Sequence, residues 1–233
     1  MTVLTGEKLH VLSGLRNIVE PDVEKLSARL RERAADNALQ MRHDAPIVIS
    51  RAAEWLLDNS SDIADAILVG AANVPFTRPM LLEAFENTVR RWLDVDHLTA
   101  FVREETHGNG HARPLCPQVV FHNLAGNLFV SGWESITFAT LLGACSIVRC
   151  SEADRVFPAV WALALSRFSP LGGDAVAVCE WARDDYARLK AAASASDAVV
   201  AFGGDRAVRS VREATPWNRP FAGHGSAVSF SMI

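Results

Sequence analysis

Residues 119–152 constrain the fold more than any other stretch, because they predict a strand, a helix and a second strand in direct succession. Residues 118–122 form a short apolar run with adjacent β-branched valines, which favours a buried strand. Over residues 128–142 apolar side chains recur at helical spacing, and Gly143 follows where a left-handed residue commonly caps a helix. Residues 146–150 are again short and apolar, so they predict a second strand.

This order predicts a right-handed βαβ unit. A parallel pair of strands needs a crossover of a dozen or more residues, and the helix supplies it. Both strands then point the same way, so that their carboxyl ends reach one edge of the sheet, where open α/β sheets bind their ligands. Polar groups follow the second strand at that edge, at Arg149, Ser151 and Glu152.

Strands and helices continue to alternate along the rest of the chain, and this alternation predicts a parallel sheet. We therefore expect an α/β fold, with a Rossmann-like parallel sheet and flanking helices. Further strands are expected at residues 175–179, 198–202 and 227–233, and further helices at residues 153–168, 184–193 and 204–214.

Helical patterns dominate the first hundred residues. Residues 101–117 contain paired glycines, prolines and histidines and are predicted to be a linker. The predicted organisation is a mostly helical N-terminal region, residues 1–115, followed by an α/β domain, residues 116–233. The N-terminal helices are expected at residues 21–40, 44–59, 61–69 and 77–93.

Charge and composition argue against several classes of protein. Lys and Arg number 23 against 27 Asp and Glu, and the formal net charge of −4 argues against nucleic-acid binding. The four cysteines have no paired CxxC spacing, so they are predicted to be reduced structural thiols. Glycines interrupt the HxxxH pattern of His107 and His111, so we expect no metal site. No stretch approaches the roughly 20 apolar residues of a membrane span, and no signal-peptide pattern opens the sequence, so a soluble cytoplasmic protein is expected.

Gly203, Gly204 and Asp205 stand between a predicted strand and a predicted helix. Without a Cβ in the way, the backbone N–H groups and the helix dipole at such a place can approach a phosphate closely. Turn glycines are common, however, and these residues do not form the GxGxxG fingerprint. From the residues alone, an ordinary turn stays the alternative.

The motifs together resemble a known family. The sequence His122-Asn-Leu-Ala-Gly-Asn127, the helix closed by Gly143, and the strand closed by Arg149 with Glu152 three places later resemble the cofactor domain of the aldehyde dehydrogenase superfamily. The segment from His122 to Asn127 is most similar to the acyl-CoA reductase branch of this superfamily. This resemblance covers residues 118–230 and implies an enzyme that reduces a long-chain acyl-CoA, or another acyl thioester, to an aldehyde. The implied cofactor is NADPH or NADH, and the implied intermediate is a thioester on a cysteine.

The resemblance also implies roles for particular residues. The turn Phe202-Gly203-Gly204-Asp205 matches the turn that holds the cofactor's pyrophosphate, with Asp205 in place of the family's serine. Arg149 and Glu152, with Ser151 between them, match the pair that contacts the adenosine ribose, although a surface ion pair is the alternative. This pair does not decide between NAD and NADP. Asn127 matches the asparagine that holds the developing oxyanion, and a turn asparagine is the alternative.

The nucleophile is expected to lie outside this chain. In the family the cysteine follows the matched segment, and none of the four cysteines here stands in its context. We therefore expect a cofactor-binding portion that is truncated before the catalytic domain and is inactive alone. A non-catalytic α/β module that binds a nucleotide or a partner is the alternative, and an enzyme acting on free aldehydes or γ-glutamyl phosphates is a third. A strand at residues 227–233 would leave an unpaired sheet edge, so a homo-oligomer is expected on general grounds.

Overall fold

A parallel sheet organises the molecule. The computed structural model describes residues 22–70, 76–107, 116–126, 131–151, 156–169 and 175–226. The sheet has five strands in the order β3-β2-β1-β4-β5, and every neighbouring pair is parallel. The α/β prediction is confirmed. The strands are β1 Val119–Asn123, β2 Cys145–Arg149, β3 Val176–Cys179, β4 Ala198–Phe202 and β5 Phe221–His224.

Helices precede the sheet and connect its strands. The helix that joins β1 to β2 is capped by Gly143, whose φ of 73° is left-handed. The Gly143 N–H bonds to the Thr140 carbonyl at 2.9 Å and the Ala144 N–H to the Ala139 carbonyl at 2.9 Å, so the predicted glycine cap is present as a Schellman motif. The helices are α1 Val23–Asp58, α2 Ser60–Gly70, α3 Arg78–Val89, α4 Val95–His107, α5 Ser131–Leu141, α6 Val156–Phe168, α7 Tyr186–Ala195 and α8 Asp205–Ala214.

Both faces of the sheet are covered. Alternate residues of the strands, such as Phe121 and Ile147, pack into a cluster with the first half of α1, with α7 and with α8. Val148 and Val178 face the opposite way and join a second cluster with the later part of α1 and with α5 and α6. β1 lies at the centre and all five of its residues are buried, as a parallel strand between two helical layers requires.

α1 is one helix of 36 residues, so the prediction of two helices at residues 21–40 and 44–59 was wrong. It begins at the Asp22 cap, whose carboxylate accepts the Lys25 N–H at 3.2 Å. Pro46 lies inside it and removes one helical hydrogen bond. The helix continues because the turns on both sides of Pro46, including Ala45 and Ile49, are buried in the core, and packing offsets the loss.

α1 also crosses the amino edge of the sheet, the side on which the strands begin. Arg42 donates through Nε to the Leu142 carbonyl at 3.2 Å, just before β2. Gly143 lies so close that a Cβ built on it would stand 2.5 Å from the backbone oxygen of Ala38. The glycine therefore both caps α5 and lets α1 pass.

Asp197 fastens the same edge. Its Oδ2 accepts the backbone N–H groups of Gln118 and Val119 at 3.0 and 3.1 Å, at the start of β1. Its Oδ1 accepts from Arg31 of α1 at 2.9 Å and from Arg219, just before β5, at 3.4 Å. One carboxylate thus joins α1 and three strands of the sheet, and charge-assisted bonds of this kind are stronger than neutral ones.

Two further predictions need correction. Residues 101–107 of the predicted linker belong to α4, because Leu98 and Val102 bury one side of this helix in the core. β5 was not predicted; its residues are mostly exposed without alternation, and pairing with β4 defines it. The strand predicted at residues 227–233 lies outside the described residues.

The domain boundary proposed between residues 115 and 116 stays a prediction. α1 belongs to the N-terminal region and contributes to the clusters on both faces of the sheet. In the described parts of the chain the two regions therefore share their core.

Hydropathy places one limit on the helices. Among those in the described residues, none is both long enough and apolar enough to cross a membrane.

We predict that Gly143→Ala lowers the free energy of unfolding by about 2–4 kcal/mol, because a left-handed alanine is strained and its Cβ meets the α1 backbone. Chemical denaturation measures the change. The matched control is Gly204→Ala, since a Cβ at Gly204 meets nothing within 4 Å. Equal losses of stability in both variants would contradict the close approach of α1.

Candidate cofactor site

The carboxyl edge of the sheet, on the opposite side from the Asp197 contacts, gathers the predicted polar residues. Because all strands are parallel, β1, β2 and β4 end together there. β2 and β4 flank β1, so their ends are two strand spacings apart, about 10 Å. The structure thus brings Arg149 and the Gly203–Gly204 pair to one edge.

Arg149 ends β2 and is held in place by neighbours on both sides. Its Nη1 donates to Asn123 Oδ1 at 3.0 Å, and its Nη2 donates to the Trp181 carbonyl at 3.4 Å. The guanidinium lies 5.7 Å from the centre of the Trp181 ring, which itself stacks on Phe121 at 6.1 Å. A cation is therefore fixed, and only partly buried, at the mouth of the sheet.

Gly203 and Gly204, hereafter the glycine turn, link β4 to α8. Gly203 has a φ of 148°, a conformation that glycine tolerates and other residues rarely adopt. Gly204 caps α8 with ordinary extended backbone and no side-chain hydrogen bond. The first N–H groups of α8 have no partner within the helix, and the positive end of its dipole lies there.

The glycine turn is open to solvent at Gly204. A Cβ built on Gly204 would meet no heavy atom within 4 Å. The packing of the fold therefore does not require a glycine at this position. A ligand that approaches the backbone N–H groups would require one, because a Cβ would stand in its way. An anion at the turn and a nucleoside near Arg149 match the chemistry of a dinucleotide.

Asp205 begins α8 and places a carboxylate beside the glycine turn. Its Oδ1 accepts the backbone N–H of Ser226 at 2.9 Å. The carboxylate is exposed, and it opposes a second anion at the same helix end.

Two predicted site residues, Asn127 and Glu152, lie outside the described residues, so their roles stay predictions. Ser151 lies two positions beyond β2, next to Arg149 in the fold, and is partly exposed. Within the described residues no three His, Cys, Asp or Glu side chains form a group that would hold a metal ion.

His122 is a structural residue rather than an acid or base. It is fully buried within β1, with Nδ1 hydrogen-bonded to Ser135 Oγ at 2.8 Å and Nε2 to Ser146 Oγ at 3.1 Å. Burial lowers the pKa of His122 to about 3, because the charged ring is costly to desolvate. The neutral ring joins α5 to two strands.

Three cysteines are buried in or beside the sheet. Burial raises the pKa of Cys145 to about 11 and the pKa of Cys179 to about 12, so their thiolates are disfavoured. The Cys150 thiol is buried and donates to the Cys179 carbonyl at 3.2 Å. Cys116, just before β1, is partly exposed.

One further residue at this edge, His224, was assigned no role from the sequence. His224 ends β5 opposite Phe202 of β4, and the two rings stack with centroids 4.6 Å apart and 11° between their planes. Its carbonyl accepts the Gly203 N–H at 3.2 Å. No sequence pattern indicated this contact, since only the β4–β5 register brings the two rings together.

Solved structures define the class of fold. The chain is similar to betaine aldehyde dehydrogenase from Staphylococcus aureus in complex with NAD+, with a TM-score of 0.69 and 11% identity over 87% of this chain and 41% of that one. It is similar to glyceraldehyde-3-phosphate dehydrogenase from Methanocaldococcus jannaschii complexed with NADP, with a TM-score of 0.64 and 11% identity over 90% and 48% of the two chains. It is also similar to a benzaldehyde dehydrogenase from Corynebacterium glutamicum, with a TM-score of 0.62 and 15% identity over 88% of this chain and 46% of that one. The fold is that of the aldehyde dehydrogenase nucleotide-binding domain, and the chain spans less than half of each of these proteins.

A family model narrows the class. The model for acyl-CoA reductase (LuxC) matches residues 58–233, well over half of the sequence. The chain belongs to this acyl-CoA reductase family. None of the curated proteins compared with it matches.

We predict that neutral His122 makes stability depend on pH. The pKa of His122 is lower in the folded chain than the ordinary 6.5, so its contribution is complete above pH 6.5 and is lost as the pH falls towards 3. The free energy of unfolding is expected to fall by up to about 1.4 kcal/mol for each unit by which the pH is lowered in this range.

Denaturation of the wild type and of His122→Gln at pH 4, 5, 6 and 7 measures this difference. The variant is expected to be less stable at pH 7 but to have a shallower dependence on pH, because it lacks the titrating ring. Parallel curves for the two proteins would show that the buried imidazole does not resist protonation.

Proposed function

We propose that this chain binds NADPH or NADH at the carboxyl edge of its sheet, as the cofactor-binding part of an acyl-CoA reductase. The observation that carries this proposal is the open space at Gly204, at the N-terminus of α8, in a chain of the acyl-CoA reductase family. Two of the similar structures, betaine aldehyde dehydrogenase and glyceraldehyde-3-phosphate dehydrogenase, are complexes with NAD+ and NADP, which supports the same class of cofactor here.

The two glycines divide the work at the turn. Gly203 supplies the backbone conformation, and its N–H is used by the His224 carbonyl. Gly204 leaves the approach to the α8 N–H groups open. We assign the pyrophosphate of the cofactor to this opening, where unpaired N–H groups and the helix dipole favour an anion.

Arg149 is assigned to the adenosine end of the cofactor. Its guanidinium is positioned by Asn123 and Trp181 at the end of β2, one strand away from β1 and two from the glycine turn. A cation there suits a ribose 2′-phosphate, while a carboxylate such as Glu152 suits ribose hydroxyls. Ser151 is included in this part of the site because it follows Arg149 at the same edge.

The proposed reaction reduces an acyl thioester to an aldehyde and releases a thiol. When bound, the reduced nicotinamide supplies the hydride for this step. The residues of this chain bind and orient the cofactor, and Asn127 remains the proposed donor to the oxyanion. We place the nucleophilic cysteine outside this chain, as the burial and raised pKa values of the Cys145 and Cys179 thiols support.

A second candidate function is a non-catalytic module that binds a nucleotide or a partner. The Asp205 carboxylate at the first turn of α8 favours the partner-binding form of this module, because it opposes a phosphate there. The proposed acyl-thioester substrate, the cytoplasmic location and the homo-oligomeric state stay proposals for the whole protein.

We predict that the chain binds NADPH or NADH with micromolar affinity and that Gly204→Ala weakens binding at least about tenfold, because the new Cβ fills the approach to the turn. Calorimetric titration with both cofactors measures this. The variant is expected to keep wild-type stability, since its backbone conformation suits alanine.

Arg149→Ala is expected to weaken binding as well, with the larger effect on the cofactor that it contacts at the ribose. Arg209→Ala is the matched control, because this exposed arginine lies further along α8, away from the turn. A folded chain that bound neither cofactor would reject the proposed function.

We also predict that the chain alone does not oxidise NADPH or NADH in the presence of a long-chain acyl-CoA. The reason is that its deeply buried thiols do not form reactive thiolates. Cofactor absorbance followed over time provides the measurement, and Cys116→Ser tests the partly exposed thiol. Turnover by the chain that Cys116→Ser abolishes would place the nucleophile within it.

A further inference from the structure

Asp205 makes a contact that the proposed function does not use. It is the first residue of α8, and its Oδ1 accepts the backbone N–H of Ser226, 21 positions later, at 2.9 Å. Residues 224–226, hereafter the exit segment, are the last residue of β5 and the two residues that follow it. The carboxylate therefore joins the start of a helix to the exit segment beside it.

Other contacts hold the exit segment on the glycine turn. The Gly203 N–H donates to the His224 carbonyl at 3.2 Å, and the His224 ring stacks on Phe202. A Cβ built on Gly225 would stand 2.9 Å from Asp205 Oδ1, which is too close for the hydrogen bond to keep its geometry. The exit segment and the carboxylate thus fit each other closely.

We propose that Asp205 is a positioning residue: it fastens the exit segment to the glycine turn, and its negative charge lowers the affinity of the turn for the cofactor. This inference rests on the proposed function, because the second half concerns the site assigned to the pyrophosphate.

The two effects have one physical origin. A carboxylate at the first turn of a helix is stabilised by the same dipole and N–H groups that attract a phosphate. The Asp205 carboxylate therefore partly neutralises the positive potential of the helix N-terminus that would attract a cofactor, and it repels the pyrophosphate directly. Arg206 and Arg209 are also exposed on α8, but they are the same in every variant below, so their contribution cancels in the comparison.

Asp205→Asn separates charge from contact. Asparagine keeps an oxygen that can accept the Ser226 N–H and removes the negative charge. We expect NADPH or NADH to bind the variant roughly tenfold more tightly at low ionic strength. The gain should shrink in 0.5 M salt, roughly three times physiological ionic strength, because the carboxylate is exposed and salt screens it. Hydrogen exchange at the Ser226 amide, followed by NMR, should stay as slow as in the wild type.

Asp205→Ala and Gly225→Ala test the contact itself. Both remove or displace the acceptor of the Ser226 N–H, so this amide should exchange about as fast as an unprotected loop amide in each. Only Asp205→Ala also removes the charge. Gly225→Ala keeps the carboxylate and is expected to give no gain in cofactor affinity.

The outcomes distinguish this inference from the function on which it rests. If the wild type binds a cofactor and Asp205→Asn binds it no more tightly, the inference fails and the proposed function stands. If Ser226 exchanges equally in the wild type and in Asp205→Ala, the positioning role is rejected. If the wild type and every variant bind no cofactor, the proposed function fails and the effect of charge fails with it, while the Ser226 exchange still decides the contact.

Discussion

Parallel pairing through β1 is the constraint on which the rest of this structure depends. β1 pairs with β2 on one side and β4 on the other, and it is buried on both faces. Strands that all run one way must have helical crossovers, and helices must cover both faces. Two unlike edges result. Asp197 and α1 close the amino edge, and the carboxyl edge carries the polar residues and the open space.

Electrostatics at the carboxyl edge are mixed rather than uniformly positive. Arg149 contributes a fixed cation near β1, and α8 contributes the positive end of its dipole. Asp205 adds a negative charge at the glycine turn, which partly offsets these two positive contributions. A site of this kind can hold an anionic cofactor without holding it tightly.

The sequence could predict what depends on neighbouring residues. The βαβ unit, the left-handed cap at Gly143 and the positions of Arg149 and Gly204 at one sheet edge follow from periodicity, turn chemistry and chain direction. Predictions from the sequence were wrong where tertiary packing overrides local conformational preference. Two helices were predicted at residues 21–40 and 44–59, but the buried turns around Pro46 keep α1 continuous. β5 has little local signal, and its pairing with β4 alone makes it a strand.

By itself, then, the sequence determined the class of fold, the family resemblance and the sheet edge at which the candidate site residues lie, because strand direction and residue periodicity depend on neighbouring residues along the chain. Only the tertiary structure decided how that site is assembled. The stacking of His224 on Phe202, the Arg149 contact with Trp181 and the Asp205 bond to Ser226 join residues that are distant in sequence. Such contacts depend on strand register and helix placement, and no local pattern of residues specifies either.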